Sequence, residues 1–403
     1  MGLSLKRFLF IVIAVASPFV VANEVIRWVW YRNYWYNQIM VRDWDLISSL
    51  KPDFHGRLLL NMSGLPPWRG KNASWQLNIN SQGIRGDKPV PERSSGRLRI
   101  LCLGDSITFG LDVDDDLTYP SQLEKILRQA PGRGGEVEVI NAGVVAYSSR
   151  QGLVYFDQRL GKLEPDLVIW GFGFNDPHST SVTAFRSDKK LIPGDVRTGW
   201  KKVYASPVNL AALTFVRQPL FAGLRDLSGM IKLTSLIKMA APKGESSRRN
   251  AGRKPVAKPE DFNRSLVPPA DFLENLEQFV WLARQNKFHI LFYIPYRVPA
   301  VYRSLVLDVA NNYRIPVVDF STKLEQYRME QILKNPVYAE LFAGYRRGLD
   351  DQFLSDNPIY LMTSDGIHPN SVANRIIAEQ IAAVILSPPA SGPVNNLINP
   401  GLR

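Results

Sequence analysis

From Leu98 onward the sequence alternates short apolar runs with longer mixed stretches, and that alternation limits the fold more than any other feature. Residues 100–103, 137–140, 167–170, 290–294 and 317–318 each read as a strand or part of one. The runs are nearly unbroken in apolar character, which is what strands covered on both faces require. Helical patterns lie between and after them. One is 119–128, with Thr118 as N-cap and Pro120 in the first turn. Another is 271–284. The last runs from Asn370 or Ser371 to residue 386, with Ile376, Ile377, Ile381 and Val384 at helical spacing and Pro388-Pro389 stopping it. Strands that alternate with helices predict an α/β fold built on a mostly parallel sheet.

More than a hundred residues separate the third run from the fourth, far beyond a normal crossover, so an insertion is expected at about 180–262. It contains a helical stretch at 209–239, interrupted at Pro219, and then a polar tract at 243–260 that predicts disorder. Between 184 and 260 there are 16 Lys and Arg against 5 Asp and Glu, a net +11 out of +12 for the chain. The rest is close to neutral, so nucleic-acid binding by the main domain is not expected. The basic insertion reads either as a contact for anionic lipid or acidic polysaccharide or as a solvated segment with no specific partner. With 45% hydrophobic and 21% charged residues, the chain is neither collagen-like, wholly disordered nor a multi-spanning membrane protein. Its single cysteine, Cys102, excludes an intrachain disulfide.

At the N-terminus Lys6 and Arg7 precede an uncharged, mostly apolar run at 8–22. Its length suits a signal-peptide core, and Val20-Val21-Ala22 suits cleavage. The aromatic cluster Trp28, Trp30, Tyr31, Tyr34, Trp35 and Tyr36 instead favours an uncleaved anchor at a membrane interface. The anchor is the preferred reading, a cleaved signal the second, and a buried helix the third. Either of the first two puts the main domain outside the cytoplasm, periplasmic or cell-surface if anchored and secreted if cleaved. The expected organisation is an anchor or signal at 1–30, a lead-in at 31–95, a main domain at 96–390 carrying the insertion, and a tail at 391–403.

Four short motifs carry the chemistry. Gly104-Asp105-Ser106 follows the first strand directly, and ligands of open parallel sheets bind beyond the strands' C-terminal ends. A serine there becomes a nucleophile only with a base and with donors for the developing oxyanion. Asn141-Ala142-Gly143 ends the second strand, where a glycine lets a backbone N–H approach a ligand. Gly173-Phe174-Asn175-Asp176 follows the third, so the Asn175 amide can point the same way. Asp365-Gly366-Ile367-His368 precedes the last helix, and a carboxylate three residues before an imidazole can fix its tautomer. Asp105 and Asp176 read as loop-organising acceptors. The cluster Asp112, Asp114, Asp115 and Asp116 lacks the ligand spacing of a calcium loop and reads as a solvated loop.

Together these blocks resemble the SGNH (GDSL-type) hydrolase family, over about 98–180 and 264–386. The one departure is Ile107 where the family name has leucine. The resemblance implies a three-layer α/β/α, flavodoxin-like fold with a five-stranded sheet, no metal and no cofactor. It implies Ser106 as nucleophile, His368 as base and Asp365 as its orienting partner, with Ser106, Gly143 and Asn175 forming the oxyanion hole. The expected function is an exported esterase or deacetylase acting on small acyl esters, O-acetyl groups of carbohydrate among them. An O-acyltransferase using the same triad on envelope or extracellular polysaccharide is the alternative, and a non-catalytic membrane-associated binding protein the third reading.

Overall fold

The computed structural model describes residues 39–43, 46–59, 74–94, 96–130, 137–177, 266–345 and 351–387. The expected anchor, the insertion with its helix at 209–239 and basic tract, and the C-terminal tail lie outside the described residues. Among the described residues no helix is long and apolar enough to cross a membrane.

Two antiparallel hairpins come first: β1 (Met40–Asp43) with β2 (Ile47–Leu50), and β3 (Phe54–Leu59) with β4 (Ser74–Ile79). The core sheet follows as β5 (Leu98–Gly104), β6 (Val137–Gly143), β7 (Leu167–Gly171), β8 (His289–Ile294) and β9 (Val317–Asp319). All five strands are parallel, in the spatial order β6-β5-β7-β8-β9. Their order of appearance is thus 2-1-3-4-5, with the topological switch point beside β5. The fold is the expected α/β arrangement.

The helices are α1 (Ser106–Phe109), α2 (Tyr119–Gln129), α3 (Ser149–Tyr155), α4 (Pro269–Asn286) and α5 (Ala300–Tyr313). After β9 come α6 (Met329–Lys334), α7 (Pro336–Tyr345), α8 (Asp351–Asp356) and α9 (Ser371–Leu386). Side chains alternate across the sheet. Ile100, Cys102, Ile169, Leu291 and Tyr293 join Leu123 and Leu127 of α2 and Ile376, Ile377 and Ile381 of α9 in one buried cluster. Full burial of each such aliphatic side chain contributes roughly 1.5–3 kcal/mol. On the opposite face Trp170 lies 4.2 Å from Phe279 of α4, between ring centroids.

Two details depart from expectation. Thr118 does not cap α2 with its side chain; the Tyr119 N–H is instead taken by Asn374 Oδ1 of α9, at 2.8 Å, which ties the two helices together. The lead-in, in turn, is a pair of hairpins that hold the main domain. Tyr147 donates to Ser48 O at 2.7 Å, Gln151 Nε2 to Leu46 O at 2.8 Å, and Arg159 pairs with Asp43 at 2.5 Å. A backbone bridge from Arg85 to Asn141 joins the second hairpin to β6.

Candidate active site

Ser106 opens α1 at the end of β5, so the strand fixes its Cα and the helix turn fixes its side-chain direction. Asp105 caps the helix: its Oδ1 accepts from the Ile107 N–H at 2.8 Å. Gly110 ends it with φ of 80°, its N–H returning to Ser106 O at 3.0 Å. Ser106 is 6% exposed.

His368 sits on the turn before α9. Gly366, at φ of 89°, lets the chain reverse, and the Ser364 N–H donates to His368 O at 2.8 Å to close the loop. Asn370 then caps α9 by accepting from the Ala373 N–H at 3.1 Å. Asp365 uses both oxygens on this turn. Oδ1 accepts from the N–H groups of Ile367 and His368, at 2.9 and 2.8 Å, while Oδ2 lies 2.7 Å from His368 Nδ1. On the other side of the ring, His368 Nε2 lies 2.9 Å from Ser106 Oγ.

The electrostatics assign the protons. Burial opposes charge on Asp365, but the hydrogen bond and charge of His368 and the two N–H donors outweigh it, holding the carboxyl at about 2. An ionised carboxylate can only accept, so Nδ1 carries the ring proton and Nε2 presents a lone pair to the serine hydroxyl. Burial alone would lower the His368 pKa; Asp365, with Asp112 and Asp105 further off, raises it above the ordinary histidine value. Asp105 is pushed up to about 7, chiefly by burial.

Asn175 stands on the loop after β7, where its Nδ2 donates to Tyr147 O at 3.0 Å. Asp176 shapes that loop. Its Oδ2 accepts from the Gly173 N–H at 3.1 Å, and its Oδ1 accepts from Ser149 N and Oγ at 3.0 and 2.5 Å. One carboxylate thereby ties the Asn175 loop to the loop after β6.

Gly143 differs from expectation. Its N–H donates to Asn141 Oδ1 at 3.1 Å, so it is not a donor waiting for a ligand. A Cβ here would lie 2.1 Å from the Phe109 backbone nitrogen, so this glycine exists to let β6 pass against α1. The loop beyond it turns at Ala146, an exposed residue at φ of 65° that sequence reading missed because nothing but glycine signals that conformation. Asp112, Asp114 and Asp115 of the acidic cluster are engaged in the fold, and only Asp116 is exposed as in a solvated loop. Asp112 accepts from Ser364 Oγ at 2.9 Å, Asp114 from Gln76 N at 2.5 Å, Asp115 from Asn78 and Arg85, and Asp116 from Lys125. His55 bonds Asn78, and His289 opens β8 at the far end of the sheet from Ser106; His178 lies outside the described residues.

A serine facing a carboxylate-braced imidazole at the C-terminal edge of a parallel sheet, between two helical layers, defines the class of α/β/α serine hydrolase folds. Residues 102–243 match the model of the GDSL-like Lipase/Acylhydrolase family. Over those residues the chain is similar to the SGNH (GDSL-type) hydrolases. It is similar to an arylesterase of Vibrio mimicus, 33% identical over 78 residues, which is 19% of this chain and 38% of that protein. The chain thus aligns with well under half the length of that relative. Similar solved structures include a lipase/acylhydrolase from Enterococcus faecalis (17% identity, 72% of this chain and 95% of that one, TM-score 0.36). An acetyl xylan esterase (12% identity, 72% and 100%, TM-score 0.38) is another. A third is a two-domain esterase active on acetylated mannans (16% identity, 75% and 49%, TM-score 0.37).

Proposed function

We propose that the protein hydrolyses short acyl esters through an acyl-Ser106 intermediate. The observation that carries this reading is the continuous chain from Asp365 through His368 to Ser106 Oγ, with links of 2.7 and 2.9 Å. Ser106 Oγ attacks the ester carbonyl carbon while its proton passes to His368 Nε2, and Asp365 stabilises the imidazolium. The carbonyl oxygen becomes an oxyanion received by the Ser106 N–H and Asn175 Nδ2. Collapse breaks the bond to the alcohol, which leaves with the proton from His368. Water then attacks the acyl-serine, His368 takes its proton, and the acid departs as that proton returns to Ser106. Ser106 at 6% and His368 at 9% exposure leave little open surface at the reacting atoms, which supports short acyl groups such as acetyl, including O-acetyl groups of carbohydrate.

The test is turnover of p-nitrophenyl acetate and longer esters, with and without a sugar acceptor. The expected result is release of free acetate, falling with chain length and abolished in Ser106→Ala. Transfer of acetate to the sugar would establish the transferase instead, and unchanged turnover in Ser106→Ala would sink both. The apolar run at 8–22 and the aromatics after it support export with retention at a membrane. Full-length protein should then pellet with membranes until detergent is added, whereas a soluble form beginning at Asn23 would mean a cleaved signal. In the same reading the basic stretch at 243–258 serves attachment to anionic lipid or acidic polysaccharide, so its deletion leaves small-ester turnover intact.

A further inference from the structure

The helix that begins at Ser106 is a single turn, Ser106–Phe109, too short to hold its own conformation. Its closing carbonyls lie beyond the reach of its own N–H groups, with Gly110 O accepting only from the Val113 N–H at 3.3 Å among the described main-chain donors, and such groups need partners from elsewhere. They find Arg85, which stands 21 positions before Ser106 in sequence, beyond β4 in the lead-in. Arg85 Nη1 donates to Phe109 O and, at 2.7 Å, to Gly110 O; Nη2 donates to Val113 O at 2.7 Å. Nε pairs with Asp115 Oδ1 at 2.8 Å. The Phe109 and Trp75 rings flank the guanidinium, their centroids 4.7 and 5.2 Å from its carbon. The side chain is 1% exposed.

Burying a cation this completely costs several kcal/mol unless its donors are matched. Here the planar fork meets three carbonyls and a carboxylate at once, a pattern a lysine ammonium cannot reproduce. The hairpin that delivers Arg85 is itself held by the same stretch. Asp114 accepts from the Gln76 N–H at 2.5 Å, and Asp115 Oδ2 from Asn78 N and Nδ2 at 2.9 and 2.7 Å.

The gripped segment touches both halves of the reacting pair. At one end it continues into Ser106. At Asp112, between the gripped carbonyls, the carboxylate accepts from Ser364 Oγ at 2.9 Å, and Ser364 N–H holds His368 O at 2.8 Å. Asn141, bridged to the Arg85 backbone, also donates to Phe109 O at 3.2 Å. Phe109 O is therefore a junction of the lead-in, β6 and the serine helix.

We infer that Arg85 is a positioning residue for the Ser106–His368 pair: it touches neither, but by fixing 109–113 it sets how the hydroxyl meets the imidazole. This rests on the reading that these two residues carry ester turnover. It makes the lead-in hairpin part of the catalytic apparatus, supplied from outside the segments that carry the four motifs.

The test compares Arg85→Ala and Arg85→Lys in the full chain with Arg93→Ala. Arg93 belongs to the same lead-in but pairs with Asp166 at 2.7 Å, just before β7 at the opposite edge of the sheet. Reactive serines are first counted by stoichiometric labelling with a fluorophosphonate. Then kcat per counted serine and KM are measured with p-nitrophenyl acetate. A misplacement of about 1 Å can cost on the order of 100-fold, so kcat per serine should fall about 10- to 100-fold in Arg85→Ala with KM within about threefold. Arg85→Lys, which keeps charge and most of the volume, should fall by a smaller but clear factor, and Arg93→Ala should not change. Added methylguanidinium should restore part of the kcat of Arg85→Ala. A purely structural role would lower the melting temperature and the number of reactive serines, not the turnover of each. Wild-type kcat per counted serine in Arg85→Lys and in whatever Arg85→Ala folds would overturn the inference. A wild-type protein that neither labels nor turns over ester would overturn the hydrolase reading beneath it, a different and recognisable outcome.

Discussion

Replacing Asp365 with asparagine keeps the shape of the turn and removes one charge. The Asp365 carboxyl stands at about 2 against an ordinary 3.8, because the His368 hydrogen bond and charge outweigh the cost of burial. At about 1.4 kcal/mol per unit, that fall is on the order of 2 kcal/mol in favour of the ionised form. Most of it is shared with the imidazolium that forms when the Ser106 proton reaches Nε2, so its loss alone should slow acylation by roughly 30-fold. The new amide adds a second fault. It can offer an N–H to Nδ1, leaving the ring proton on Nε2, where it blocks acceptance from Ser106, and the combined loss should reach about 10³–10⁴ in kcat. The pH dependence carries a further signature. With its pKa raised, His368 is a neutral base only above the ordinary histidine range, so kcat/KM climbs with pH through that raised value. In Asp365→Asn the climb should move to lower pH while the plateau falls. The assay is p-nitrophenyl acetate hydrolysis across the range where the protein stays folded. A plateau within about threefold of wild type, or an unmoved acid limb, would refute the assigned tautomer and charge.

Asn175→Ala should leave the fold intact and lower kcat about 10²–10³-fold with little change in KM, as loss of one oxyanion donor does; an equal rise in KM would mean Asn175 binds substrate uniformly. Gly143→Ala should destabilise by about 1–3 kcal/mol or more through the clash with Phe109, lowering Tm by roughly 2–4 °C per kcal/mol. An unchanged Tm with lost activity would restore Gly143 as an oxyanion donor. Asp105 stands near 7 because of burial, with Oδ2 unpartnered among the described residues. A carboxyl raised in the folded state stabilises fully below its unfolded value and loses that contribution as pH climbs from about 4 to about 7. Asp105→Asn keeps an acceptor for the Ile107 N–H, so its Tm should exceed wild type most at about pH 8 and converge with it toward about pH 4. A gap independent of pH would refute the shift.

The parts legible in the sequence are those whose determinants are local. Nearly unbroken apolar runs located all five core strands, because a parallel strand covered on both sides leaves few positions for polar residues; the structure extends β5 to Leu98–Gly104 and β6 to Val137–Gly143, which take in Arg99, Glu138 and Asn141. Asp365 and His368 are three residues apart on one turn, so their pairing could be read from spacing. The rest depended on contacts between distant segments. Gly143 looked like a ligand-facing glycine, but its constraint is the backbone of Phe109, 34 residues earlier and invisible to local pattern. Ala146 takes a left-handed turn without the glycine that would announce it. Arg85 was unreadable because three of its acceptors are main-chain carbonyls, which every residue has, and the fourth, Asp115, lies 30 residues away. β4, Ser74–Ile79, does alternate polar and apolar residues as a half-covered strand should, a signal the sequence carried, whereas β1, β2 and β3 are short and of mixed polarity without that period.

The central claim is that Ser106, activated by His368, bonds covalently to the acyl group. The most direct measurement is mass spectrometry of protein quenched in acid during turnover of p-nitrophenyl acetate, followed by peptide mapping. The account predicts one added acetyl group on the peptide containing Ser106, absent in His368→Ala and in Ser106→Ala. An acetyl group on another residue that depends on turnover, or full acetylation of Ser106 in His368→Ala at the wild-type rate, would contradict it.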